Sequence, residues 1–150
     1  MTSVTFRARL VFVVSLAGTF GAHAGDSLYL RLGGDAGVGA IAGDLIDRVV
    51  ADSVTGPSFS DTKLDRLKHL LAEQLCDLSG GPCHYSGDSM REVHAGHHIS
   101  QAQFYRMVEV LRDILNERHI DQGTRNQLLR LLAPMKRDVV EPAAQSPAPK

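Results

Sequence analysis

Gly80 to Ser100 reads GGPCHYSGDSMREVHAGHHIS. Its first half is turn material: two glycines, a proline and a run of small polar residues stop any helix, and a loop of that length in a compact domain is often functional. Its second half changes period. Met90 precedes His94 by four and Ile99 follows it by five, so a short helical turn sets Met90 and His94 on one face, with Ile99 closing the same pocket.

Outward from this stretch the pattern is helical on both sides, and the fold class is all-α. Val38, Ile41, Ala42, Leu45, Ile46 and Val49 recur at three-and-four spacing. They predict a helix over about Ala36 to Ala51, bounded by Gly33-Gly34 and Gly56-Pro57. Thr62-x-x-Asp65 resembles a capping box, and Leu64, Leu67, Leu71, Leu75 and Leu78 then share a face, predicting a second helix from Asp61 to Leu78. Downstream, Ser100-x-x-Gln103 opens a third helix carrying Phe104, Val108, Leu111 and Leu115. Thr124-x-x-Gln127 opens a fourth carrying Leu128, Leu131, Leu132, Met135 and Val139, which Pro134 is expected to kink or break locally.

The termini stand apart from this pattern. Arg7 and Arg9 precede an apolar run, Leu10 to Phe20, and then Ala22-His23-Ala24. That is the order of a secretory signal peptide spanning residues 1–24, too short in its apolar part for a membrane span. Removing it takes away two of 16 basic residues and none of 17 acidic ones, so the mature chain of 126 residues carries a net charge of −3. No basic stripe remains for nucleic acid, and no membrane association is expected after cleavage. Glu141 to Lys150 holds three prolines and little to bury, and is expected to be disordered. The folded domain is therefore read as residues 25–140, and the protein as exported, either periplasmic or secreted.

His84, His94, His97 and His98 are four of the seven histidines, and such a cluster in a leucine-rich protein invites a metal. His97 and His98, beside Gly96, read as solvated. For His94 two readings stand: an axial heme ligand, which needs a neutral imidazole in an apolar wall, or a core histidine satisfied by a carbonyl.

The segments LYLRLGG (Leu28 to Gly34), DLIDRVVAD (Asp44 to Asp52), SFSDTKLDRLK (Ser58 to Lys68), GGPCHYSG (Gly80 to Gly87), MREVHAGHHIS and LAPMKRDVV (Leu132 to Val140) together resemble the group I truncated hemoglobins, in family order. The resemblance implies a two-over-two globin fold around one heme b per chain. By it, His94 is the proximal iron ligand and Phe59 wedges against the heme. Tyr85 and Met90 shape the proximal loop, Ile99, Phe104 and Val108 complete the proximal wall, and Lys63 and Arg66 near the heme edge are candidates to pair with the propionates.

On the distal side the chain departs from the family. Where many relatives carry a tyrosine and a glutamine that donate hydrogen bonds to bound dioxygen, this chain has Ile46 and Leu71, and Leu67 one turn earlier is apolar too. Losing such a donor costs on the order of 1 to 3 kcal/mol of dioxygen binding, while carbon monoxide and nitric oxide, less polarised when bound, lose less. Gln74 lies on nearly the same face as Leu67. His69 points sideways, and binds iron only if the helix rotates.

Cys76 and Cys83, the two cysteines of the chain, form either a disulfide across the Gly80-Gly81-Pro82 turn or two free thiols. The resemblance implies reversible binding of a diatomic gas (dioxygen, carbon monoxide or nitric oxide). Nitric oxide detoxification by dioxygenation is its known catalytic use and here would need an external electron donor. The competing reading is a heme-free helical scaffold, or a zinc site from Cys83, His84, His94 and His98, whose spacing matches no common zinc motif. Phe59, Met90 and His94 separate the two, because a heme pocket needs all three while a plain bundle needs only hydrophobes of similar volume.

Overall fold

The computed structural model describes residues 26–141; the signal-peptide reading of residues 1–24 and all but the first residue of the tail lie outside them. Among the described residues every regular element is a helix. Ser27 caps a single turn, α1 (Leu28–Arg31), its hydroxyl accepting from the Leu30 amide. Gly33 and Gly34 follow with φ of 98° and 62°. That left-handed region suits glycine, so the chain turns there.

Helix α2 (Gly34–Ala51) begins two residues before its predicted start and buries Val38, Ile41, Ala42, Leu45, Ile46 and Val49, the six positions its spacing singled out. It packs against both α3 (Leu64–Leu78) and α5 (Gln101–Glu117), which accounts for so wide an apolar stripe. The ion pairs Arg48–Glu117 and Arg118–Asp44 join α2 to the end of α5 along its rim.

Two predicted helix starts are corrected. Helix α3 begins at Leu64, not Asp61, and Thr62 does not cap it; residues Gly56–Phe59 form a 3-10 turn with Pro57 near its start, and the Thr62 amide bonds back to the Phe59 carbonyl. The Phe59 carbonyl takes the Thr62 amide, the donor that the reciprocal bond of the capping box would have needed. Helix α6 (Gln122–Leu132) is capped by Asp121, whose carboxylate accepts from the Thr124 amide at 3.1 Å. Thr124 itself is fully buried, its hydroxyl bonded to Asp121. Aspartate caps as well as threonine, and this leaves the threonine methyl to the core.

The remaining starts follow the sequence. Ser100 and Gln103 form a reciprocal capping box at α5. Pro134 sits in a 3-10 turn, Ala133–Met135, after which the chain resumes as α7 (Lys136–Val139): a local break. Between α3 and α5 the chain is a loop ending in α4 (Met90–His94), one turn opened by a Ser89–Glu92 capping box. Cys76 and Cys83 are disulfide-bonded, with Cα atoms 5.7 Å apart, fastening this loop to α3. A Cβ at Gly81 would lie 2.6 Å from Cys76 Sγ and 2.7 Å from the Tyr29 ring, so only glycine passes this crossing.

Candidate functional site

The helices enclose a cavity of about 340 Å³, within the roughly 300–1,000 Å³ of small-molecule and cofactor sites. From α2 come Ile46 and Val49, from the 55–62 segment Thr55, Ser58, Phe59 and Thr62, and from α3 Leu67, Leu70, Leu71 and Gln74. Met90, Val93 and His94 of α4 line it too, with His97, Ile99, Gln103, Phe104, Met107, Val139 and Tyr85.

Of the residues singled out in the sequence, Ile46, Phe59, Leu67, Leu71, Tyr85, Met90, His94, Ile99 and Phe104 meet in this cavity; Lys63, Arg66 and Val108 do not line it. Lys63 and Arg66 are exposed, one at the α3 cap and the other turned about 100° from Leu67. On α5 the inward position after Phe104 is Met107, three residues on, so Val108 is rotated out of the lining. Met107 and Leu70 were legible in principle, since each continues an apolar face at helical spacing. Val139 was already read on the apolar face of the last helix, whereas Thr55, Ser58 and Gln103 carry no such signal, because chain crossings bring them in.

The loop that leads to His94 is held to α3 at successive points. Glu73 accepts from the Ser86 amide at 3.2 Å and its hydroxyl at 2.7 Å, and these bonds hold the Glu73 carboxyl below its ordinary value. Asp77 accepts from the Tyr85 amide at 3.1 Å. The Tyr85 hydroxyl donates to the Asp88 carbonyl, and burial pushes its pKa up. These ties, with the disulfide, deliver α4 to the cavity in one pose.

His94 is half-buried on the cavity wall, and its Nδ1 lies 2.8 Å from the Met90 carbonyl oxygen. A carbonyl can only accept, so Nδ1 is the donor, and with the proton placed there an imidazole has its Nε2 lone pair available to a metal. A backbone partner on one ring nitrogen that orients the other is the arrangement of a metal-bound histidine. His69, by contrast, is 72% exposed and pairs with Glu73 at 3.1 Å on the outer flank of α3. It does not line the cavity.

The polar atoms inside are few and mostly engaged. The Thr55 hydroxyl donates to the Val49 carbonyl, and Ser58 Oγ accepts from Gln103 Nε2 at 2.9 Å. Gln74, 8% exposed, donates to Met90 Sδ at 3.4 Å. The zinc reading fails on the same geometry: Cys83 is in the disulfide, and among the described residues no three His, Cys, Asp or Glu side chains gather to hold an ion. What the residues do fit is a flat apolar group with one metal needing one neutral nitrogen.

Comparison with known proteins agrees with this geometry. The bacterial-like globin family model matches residues 27–141. Group 1 truncated hemoglobin GlbN of Mycolicibacterium paratuberculosis is 29% identical over 113 residues, 75% of this chain and 83% of the relative. That of Tetrahymena pyriformis is 26% identical over 115 residues, 77% and 95%. The crystal structure of the Tetrahymena pyriformis truncated hemoglobin in its Fe(III) form superposes with a TM-score of 0.74, covering 78% of this chain and all of that one. The chain belongs to the bacterial-like globin family in its group 1 truncated, two-over-two form, with heme as its cofactor and binding of a diatomic gas as the family's activity.

Proposed function

We propose that this protein binds one heme b per chain through His94 and takes up dioxygen, carbon monoxide or nitric oxide reversibly, as an exported protein of the periplasm or the extracellular space. The single observation that carries the reading is the half-buried His94, with Nδ1 committed to the Met90 carbonyl and Nε2 free on the wall of an apolar cavity. Heme, when bound, supplies an iron with one position left open to a gas. Ile46, Leu67 and Leu71 keep their side of the cavity dry and offer no hydrogen-bond donor, which favours weakly polarised ligands over dioxygen. With His69 turned outward, no second histidine from α3 is in place to compete for the iron, so a five-coordinate resting state follows.

Nitric oxide dioxygenation ranks below reversible binding, because it depends on a stable dioxygen complex and on an external electron donor. Export is supported by the Cys76–Cys83 disulfide, a bond that persists in oxidising compartments. Cleavage after Ala24 belongs to the same proposal.

The test is the visible spectrum of the protein expressed with its leader and recovered from the exported fraction. Expected are a Soret band, one broad ferrous visible band and a clean shift with carbon monoxide. Sharp, split ferrous bands would overturn the five-coordinate reading. His94→Ala should lose stoichiometric heme; a variant with full heme and an unchanged spectrum would overturn the ligand assignment.

A further inference from the structure

Along the inward face of α3 the sequence runs Leu67, Leu71 and then Gln74, a polar side chain where another leucine would have extended the dry wall. It is 8% exposed, and a carboxamide buried in such a wall is costly unless it is hydrogen-bonded. Among the described residues the one side-chain hydrogen bond of Gln74 runs from Nε2 to Met90 Sδ, at 3.4 Å. The other end of Met90 is engaged too: its carbonyl accepts from Nδ1 of His94. Met90 thus stands between an amide of α3 and the imidazole of α4, held by its side chain on one side and holding with its backbone on the other.

The surroundings explain why such a link matters. At five residues α4 is too short to hold its shape unaided. The Ser89–Glu92 box fixes its start, and Arg91 pairs with Asp138 of α7 on its outer flank. Glu73, Cys76 and Asp77 of α3 all fasten the loop before α4. Gln74 alone among them reaches past the loop to α4 itself.

We propose that Gln74 is a positioning residue: through the thioether of Met90 it sets the pose of α4, and with it the direction of the His94 Nε2 lone pair. The inference rests on the reading of His94 as the iron ligand. A thioether is a weak acceptor, which makes the link one that the surrounding packing can stretch without breaking, and its strength therefore reports on how closely α3 and α4 approach.

The experiment uses the full heme-loaded protein and the variants Gln74→Leu, Gln74→Met, Met90→Leu and Gln74→Leu/Met90→Leu. Both Gln74 variants should keep unchanged helix content by circular dichroism. They should shift the iron–histidine stretching band in the resonance Raman spectrum of the ferrous form, and lose heme to excess apomyoglobin roughly twofold to threefold faster, the low end of the factor for one lost hydrogen bond, since the acceptor is a thioether. Met90→Leu should give the same shift, and the double variant should add nothing further, because both single changes cut the same bond. An unchanged band and heme-loss rate in both Gln74 variants would overturn the inference, as would fully additive effects in the double variant. A wild-type protein with no iron–histidine band would overturn the His94 reading and this inference with it; a normal wild-type band with an indifferent Gln74 sinks this inference alone.

Discussion

Replacing Leu71 by glutamine puts a hydrogen-bond donor on the donor-poor wall formed by Ile46, Leu67 and Leu71. Leu71 lies four residues past Leu67 on the inward face of α3, half-buried, so a side chain of similar length at this position projects into the same space. Without a ligand the new carboxamide is half-buried beside Ile46 and Leu67, which offer it no hydrogen-bond partner. Leu71→Gln should therefore lower stability by about 1 to 3 kcal/mol. With dioxygen bound, the donor meets partial negative charge and gains about 1 to 3 kcal/mol, which slows dioxygen release roughly fivefold to a hundredfold. Flash photolysis or ligand-replacement stopped flow measures that rate directly. Carbon monoxide is the internal control: it carries less charge when bound, so its release should change far less, whereas a merely steric effect would slow or speed both gases together. A dioxygen release rate equal to that of the wild type would refute the picture of a donor-free wall and mean that another group, Gln74 being the nearest on the same helix face, already bonds the ligand.

Two further outcomes follow from the scaffold. Cys83→Ser opens the seven-residue link to Cys76; chain entropy puts the loss at roughly 2 to 3 kcal/mol, a fall in melting temperature on the order of 10 °C. Wild-type protein in reductant should melt with the variant, and a melting temperature indifferent to both would show that the bond does not staple the fold. Arg106→Gln tests the charge pair on the α2 terminus: the Arg106 hydrogen bond, helped by the Val54 amide, holds the Asp52 carboxyl below its ordinary 3.8. A carboxyl so depressed contributes stability above 3.8 that is lost as pH falls through its folded value, so the wild-type advantage in urea unfolding should be present at neutral pH and vanish in acid. A gap of the same size at both pH values would assign the effect of Arg106 to packing.

The helices were largely legible because their signals are local. The spacing of Val38 to Val49 marks the buried stripe of α2, and the Ser100–Gln103 box marks the start of α5, since both depend on residues three and four apart. Local signals failed where two neighbours competed for one role. Asp121 and Thr124 could each cap α6, and the chain chose the aspartate because the core could use the threonine methyl. Thr62 had a capping pattern, but the 3-10 turn after Pro57 claimed its amide.

The candidate site divides along the same line. Its composition was readable: Ile46, Phe59, Leu67, Met90 and His94 appear in the segments that resemble truncated hemoglobins, Leu71 and Phe104 continue the apolar faces of their helices, and all seven line the cavity. Its boundary was not. Whether Met107 or Val108 faces inward depends on how α5 is rotated against α2, and whether Lys63 and Arg66 reach the rim depends on where α3 starts. The sequence by itself determined an all-helical chain with one histidine in an apolar setting, because periodicity and capping are set by neighbours a turn away. Only the tertiary structure decided which faces meet around His94, that its Nδ1 bonds to the Met90 carbonyl, and that Gln74 turns inward while His69 turns out. The bonds themselves are short in sequence, four residues within α4 and sixteen between α3 and α4, but which side chains turn toward the cavity is fixed by how the helices pack against one another, whose contact energies no local pattern records.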